Sequence, residues 1–165
     1  ILLLHSIILT IGGVPLIYLG DEIATLNDYT FREDPAKAGD SRWIHRPRTD
    51  WERADRRKQF GAPEERVFHG LQRLIAMRKA NPVFSAGEFQ WLDVNHPAVF
   101  AFLRAYQGER VLVLANFSET DQLIAGNLLR LYGLGYGFTD LLTGRDVPSQ
   151  ELSLGAYEVA FLVAR

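Results

Sequence analysis

The chain has 165 residues, 47% apolar and 23% charged, with a net charge of −2 and no cysteine. That length suits one ordinary domain or two small ones, with enough apolar residues for a real core. Near-neutrality excludes a global basic field for nucleic acid. The lack of cysteine excludes disulfides and thiolate metal sites but leaves the compartment open between cytoplasm and secretion.

The first stretch, ILLLHSIILTIGGVPLIYL, approaches the length of a membrane span. No basic residue precedes it, Gly12, Gly13 and Pro15 interrupt it, and Asp21 and Glu22 follow at once, so neither a span nor a signal peptide is expected. The pattern predicts a buried helix end from Ile1 to about Leu9, a tight turn, and a buried strand from Val14 to Leu19. A strand apolar on every residue has both faces covered, the habit of parallel sheets in α/β proteins. The chain is therefore expected to be a piece of a larger α/β domain.

From Gly20 to about Pro63 no periodicity is sustained, and arginines and aspartates concentrate there. Long irregular loops are uncommon in compact domains and are often functional. This one follows a predicted buried strand, at whose carboxyl end α/β proteins build their sites. ERADRRKQF (Glu52–Phe60) interleaves acids with bases and reads as a solvated face. Pro63 opens a helix whose stripe is Val67, Phe68, Leu71, Leu74 and Ile75. Glu64 and Glu65 complement its start, Arg78 and Lys79 its end, and Asn81-Pro82 stops it.

Beyond Pro82 short β-rich runs alternate with turn signals. Strands are predicted near residues 88–93, 98–106, 110–117, 121–124, 137–142, 151–154 and 158–163, with hairpin turns at Gln107–Glu109 and Thr143–Asp146. NLLRLYGLG reads as a loop or a helical turn. This spacing suggests an antiparallel sandwich. The order fits the last β/α unit of a (β/α)8 TIM barrel followed by a small antiparallel β-sandwich, hence α/β plus all-β. An open α/β sheet with an appended β domain fits as well. Residues 1–81 would form the barrel end and 82–165 the sandwich.

GGVPLIYLGDE (Gly12–Glu22) resembles the eighth-strand segment of the α-amylase family of glycoside hydrolases and transglycosylases. YLGDEIATLNDYTFREDPAKAGDSRWIHRPRTDW, with Leu26–Asp28 and Asp40–Arg48 as its specific parts, is similar to the sucrose-acting, amylosucrase branch. Asn116–Ser118 also fits that family's C-terminal domain. The resemblance implies a retaining α-glucosyltransferase that cleaves sucrose, releases fructose and extends an α-1,4-glucan, or hydrolyses when water intercepts the intermediate. Such chemistry needs two carboxyl groups about 5–5.5 Å apart. The resemblance places them before Ile1, so no catalytic residue is expected in this chain. It would act through an upstream barrel, on sucrose and α-glucan, with no cofactor, metal, nucleic acid or membrane as partner.

Arg42 matches the family arginine that salt-bridges an upstream acid and closes the pocket bottom. A planar guanidinium forking onto a carboxylate suits that task. In this chain alone it is expected to be a loose, solvated cation. Asp21 and Glu22 match positions that mostly brace the loop, and no catalytic role is expected of them. His45, Arg46 and Arg48 would touch acceptor glucan or brace the loop. Trp43 and Trp51 would stack on a sugar or anchor the loop. Asn27 and Asp28 would line the pocket rim or form Asx turns. His5, His69 and His96 lack metal-ligand spacing. A stand-alone carbohydrate-binding module and another α-amylase-family activity, such as a sucrose hydrolase or a trehalose-forming isomerase, remain as alternatives.

Overall fold

A computed structural model describes every residue other than Tyr136, Ser149 and Arg165. The chain divides into two compact units, one comprising Ile17–Leu71 with Ile1, the other Leu2–Leu16 with Gln72–Arg165.

The second unit is built on a six-stranded sheet. Strands β1 (Glu88–Leu92), β2 (Val99–Tyr106), β3 (Glu109–Asn116), β5 (Gly137–Asp140), β6 (Asp146–Pro148) and β8 (Val159–Ala164) lie in the order β1-β2-β3-β8-β5-β6. Every pairing is antiparallel, and β4 (Gln122–Ala125) pairs with β7 (Glu151–Leu154) in a second small sheet. The central strands are apolar on both faces because both faces are covered. Val99, Ala101 and Leu103 of β2, Leu112 and Leu114 of β3 and Leu162 of β8 join a core with Phe138, Ile124, Leu152 and Leu154. That core is a sandwich between the two sheets, filled by Leu129 of the short helix α5 (Gly126–Leu131).

On the other face, Phe102, Val111, Val113 and Phe161 pack with residues from three helices. These are Leu9 of α1 (Leu2–Thr10), Leu74 and Met77 of α3 (Pro63–Ala80), and Val83 and Phe84 of α4 (Val83–Ala86). The β2–β3 hairpin turns on Gln107 and Gly108, both at positive φ (49° and 87°), the backbone of a type I′ turn that matches strand twist.

Several sequence expectations need correction here. β6, unread in the sequence, pairs with β5 across the Thr143–Asp146 turn, while residues 126–135, read as a loop or a helical turn, hold α5 in keeping with the second of those readings. Helix α1 does form, yet it buries His5, Ser6, Leu9 and Thr10 and leaves Leu4 and Ile8 exposed. Val14–Leu19 forms no strand. Val14 is 97% exposed and Leu19 80%. A strand exists through ladder bonds to its neighbours, and none of the described strands pairs with this segment.

The last carbonyls of α1 have no partner within the helix, and two arginines supply one. Arg78 of α3 donates to Leu9 O (2.6 Å) and Gly13 O (2.7 Å), and Arg104 of β2 donates to Ile11 O (2.9 Å). Arg104 also reaches Val83 O and Gly87 O, and is only 3% exposed. Burial first, then the nearby Arg78 charge, lowers its pKa. Gly12, at φ 120°, sits against this guanidinium. A Cβ there would stand 3.1 Å from Arg104 Nη1.

The first unit is made of short pieces. 3-10 turns at Asp21–Ile23, Thr30–Glu33 and Ser41–His45 precede helix α2 (Trp51–Asp55), a further 3-10 turn at Arg56–Lys58 and the start of α3. Its buried apolar side chains are Ile23, Phe31, Ala54, Val67 and Leu71. The stretch Glu52–Phe60 is less solvated than its charge pattern suggests. Ala54 is buried, Arg53 bonds Glu64 Oε1 (2.8 Å) and Ala24 O (2.8 Å), and Arg57 lies over Phe68. Asp50 caps α2 by accepting from Arg53 N.

Candidate functional site

Two segments far apart in sequence meet in the first unit. A cleft of about 180 Å³ is lined by Tyr18–Gly20, Glu22, Ile23 and Thr25 on one side and His45–Thr49 on the other. Gly20 makes the first wall turn. It holds φ 101°, and a Cβ there would fall 2.8 Å from Thr25 Oγ1. The carboxylates that follow fold back on the chain. Asp21 Oδ2 accepts from Tyr18 N (3.2 Å), and Glu22 Oε2 accepts from Gly20 N (2.8 Å). Both carboxylates thus brace the turn.

Asn27 and Asp28 tie the second wall to the first segment. Asp28 N donates to Ile44 O (2.9 Å), and Asn27 Oδ1 lies 3.1 Å from His45 Nδ1. With the amide oxygen as acceptor, Nδ1 is the donor of this contact. Asp28 Oδ1 accepts from both Thr30 Oγ1 (2.6 Å) and Thr30 N (2.9 Å), an Asx turn. The Thr30 hydroxyl first, then its N–H, holds the Asp28 carboxyl below its usual range.

Arg42 does not behave as a loose cation. Its Nε donates to Asp40 Oδ1 at 2.8 Å and its Nη2 to Oδ2 at 2.8 Å, while Asp40 also accepts from Arg42 N and so caps the Ser41–His45 turn. The Arg42 side chain is 73% exposed. A carboxylate two residues away supplies the partner that was expected only from upstream. The Arg42 side-chain bond first, then the backbone bond, brings Asp40 to about 2, and the same contact raises Arg42. Sequence reasoning passed over Asp40, although an aspartate before Ser-Arg carries an N-cap signal.

Arg46 and His45 line the cleft, as does Arg48, while Arg42 is not among its lining residues. Trp43 is half-buried beneath two cations, Lys37 Nζ 5.3 Å and Arg46 6.0 Å from its ring centre. Trp51 begins α2 and is 76% exposed. No group of three or more His, Asp or Glu able to hold a metal occurs among the described residues. None of the described helices is long and apolar enough to cross a membrane. Small-ligand pockets usually run about 300–1,000 Å³, so this cleft of about 180 Å³ is smaller than a usual ligand site.

Residues 89–160 match the family described as the maltogenic amylase C-terminal domain. Across 98% of the chain, the glucosylglycerate phosphorylase of Escherichia coli K12 is 28% identical, and the match covers 27% of that protein. The trehalose synthase of Thermus thermophilus is 31% identical over 149 residues, 73% of this chain and 14% of that one. An oligo-1,6-glucosidase from Bacillus sp. strain F5 is 39% identical over 56 residues, 34% of this chain and 11% of that one. The chain thus spans roughly a quarter or less of the length of these curated relatives.

Two solved structures superpose over 99% of the chain and 38% of their own, each with a TM-score of 0.70. They are the trehalulose synthase MutB of Pseudomonas mesoacidophila MX-45 (17% identical) and the isomaltulose synthase PalI of Klebsiella sp. LX3 (21%). At those identities they establish the fold. The relatives are α-amylase-family enzymes, and the antiparallel β-sheet region of this chain is the C-terminal domain of that family.

Proposed function

We propose that the chain is the C-terminal part of a retaining α-glucosyltransferase of the amylosucrase kind. The enzyme would cleave sucrose, release fructose and pass glucose to an α-1,4-glucan. Residues 1–81 would complete the catalytic barrel as its last β/α unit, and 82–165 would be the appended β domain. The observation that carries this reading is the cleft in which YLGDE and the HRPR segment face each other. The two stretches that resemble the sucrose-acting branch line one surface.

In this reading Arg42 closes the bottom of the glucosyl pocket by moving its fork from Asp40 to a carboxylate of the catalytic barrel. Glu22, His45 and Arg46 form the wall; Asp21, Asn27 and Asp28 hold the wall in shape. Trp43 anchors the loop. The nucleophile and the acid would belong to the upstream barrel, so residues 1–165 alone should turn over no sucrose.

The test is a sucrose assay on the whole protein that carries this sequence, with and without glucan. Fructose release with glucan growth supports transfer. Arg42→Ala should then lower kcat/KM by a factor of ten or more, about 1.4 kcal/mol of transition-state binding. No fructose from the whole protein, or fructose from residues 1–165 alone, would sink the reading.

A second reading has its own support. The relative matched across almost the whole chain is named a phosphorylase, and the superposed structures are named a trehalulose synthase and an isomaltulose synthase. Product analysis separates these: glucose 1-phosphate marks phosphorolysis, a sucrose isomer marks isomerisation, and equal glucose and fructose mark hydrolysis.

A further inference from the structure

A second cleft lies in the first unit, at the start of α3. It measures about 630 Å³ and is lined by Asp50, Glu52, Arg53, Arg56, Gln59 and Glu64, with Pro63. Glu64 is only 2% exposed. Its Oε1 is satisfied by Arg53 Nε at 2.8 Å, but Oε2 has no hydrogen-bond partner. Arg56 Nε stands 3.5 Å from Oε2, an ion-pair distance too long for a good hydrogen bond. Arg53 cannot turn to help, since its other arm is held by Ala24 O. A buried carboxylate oxygen without a donor is an uncommon and costly arrangement.

We propose that this cleft is an auxiliary subsite for a neutral polyhydroxyl ligand, a sugar ring, gripped by Glu64, Arg56 and Gln59. The choice of a sugar among polyols rests on the functional reading above. The charges around the cleft select for neutrality. Asp50, Glu52 and Glu64 oppose an anion, and Arg53 and Arg56 oppose a cation. A hydroxyl is donor and acceptor at once. It donates to Glu64 Oε2 and accepts from Arg56, whose side chain is 49% exposed and free to swing outward. Gln59 offers both an acceptor and a donor to the neighbouring hydroxyl. The volume lies within the range of small-ligand sites and suits one or two rings.

The test is a titration of the isotope-labelled protein with maltose, followed by NMR at the Arg56 Nε–H and the Gln59 side-chain amide. Saturable shifts at both groups are expected. Gln59→Ala, an exposed position, should leave the fold intact and weaken binding about five-fold, the worth of one hydrogen bond. Glu64→Gln should abolish the shifts. Unchanged affinity in Gln59→Ala, no shift at either group, or the same shifts produced by sulfate alone would overturn the subsite. In the last case the cleft takes anions, and in the second Oε2 holds only water. Loss of these shifts beside intact sucrose turnover removes the subsite only, whereas inactive whole protein with the shifts present removes only the functional reading.

Discussion

The two compact units solve the same problem in opposite ways. In the second unit, order comes from distant partners. β2 and β3 are registered from Val99↔Asn116 to Tyr106↔Glu109, and side chains such as Phe102 and Val113 are wholly buried. In the first unit, many of the polar bonds join neighbours within a few residues, namely Asp21 to Tyr18, Glu22 to Gly20, Asp28 to Thr30, Asp40 to Arg42 and Asp50 to Arg53, beside longer ties such as Asp28 N to Ile44 O and Arg53 to Ala24 O. Short aspartate-capped turns hold a shape without a large core, and they leave Leu19, Leu26 and Phe60 exposed. Local bonding leaves polar groups at the surface, where a site needs them, but it yields less stability per residue than burial does.

The largest effect should come from the second unit. Phe102→Ala removes a side chain with no exposure that touches Phe89 and Phe100. It should cost about 3–5 kcal/mol, read as a fall in the urea midpoint by circular dichroism. Phe60→Ala, fully exposed in the first unit, should stay within about 0.5 kcal/mol. Equal losses from the two would erase the contrast between the units.

Arg104 tests whether a buried cation belongs to the core. Arg104→Met keeps much of the volume but takes the donor from Ile11 O, Val83 O and Gly87 O. A loss of about 1–3 kcal/mol is expected. A gain in stability would mean that desolvating the guanidinium outweighs its three carbonyls, as it does in some buried ion pairs. Next in size is Gly108→Ala, which places a side chain at φ 87° in the β2–β3 turn and should cost about 1 kcal/mol.

The same contrast explains what the sequence made legible. Strand positions in the second unit follow from runs of β-branched and aromatic residues between turn signals, and residues 99–116 read clearly because both faces are covered. β6 escaped because Asp146–Pro148 is three residues long with a proline in it. Val14–Leu19 misled because apolar runs announce burial but not the partner that provides it. Arg104 sits in an apolar strand, where nothing in the local pattern reveals that three carbonyls from two other segments meet it. In the site, the Asx turn at Asp28 was legible by its chemistry. The Arg53–Glu64 pair was not, because it joins residues eleven positions apart across a break between helices. Glu64 reads simply as a first-turn acid.

The smallest effect is the most informative about the site. Arg42's side-chain bond, then its backbone N–H, lowers Asp40 from 3.8 to about 2. A carboxylate lowered in the folded chain holds its contact fully above the unfolded value and loses it as pH falls through the folded one. The Asp40–Arg42 fork should therefore be intact above about pH 4 and open towards pH 2, with no measurable change in global unfolding, because both groups are at the surface. A carboxyl carbon titration by NMR reads the midpoint directly. A midpoint near 3.8 would mean that Arg42 is already free, as the sequence alone suggests. A midpoint near 2 would mean that any carboxylate recruiting Arg42 to close a sugar pocket must first displace Asp40. Asp40→Asn would then strengthen that recruitment in the whole protein and, under the proposed sucrose activity, appear as a lower KM.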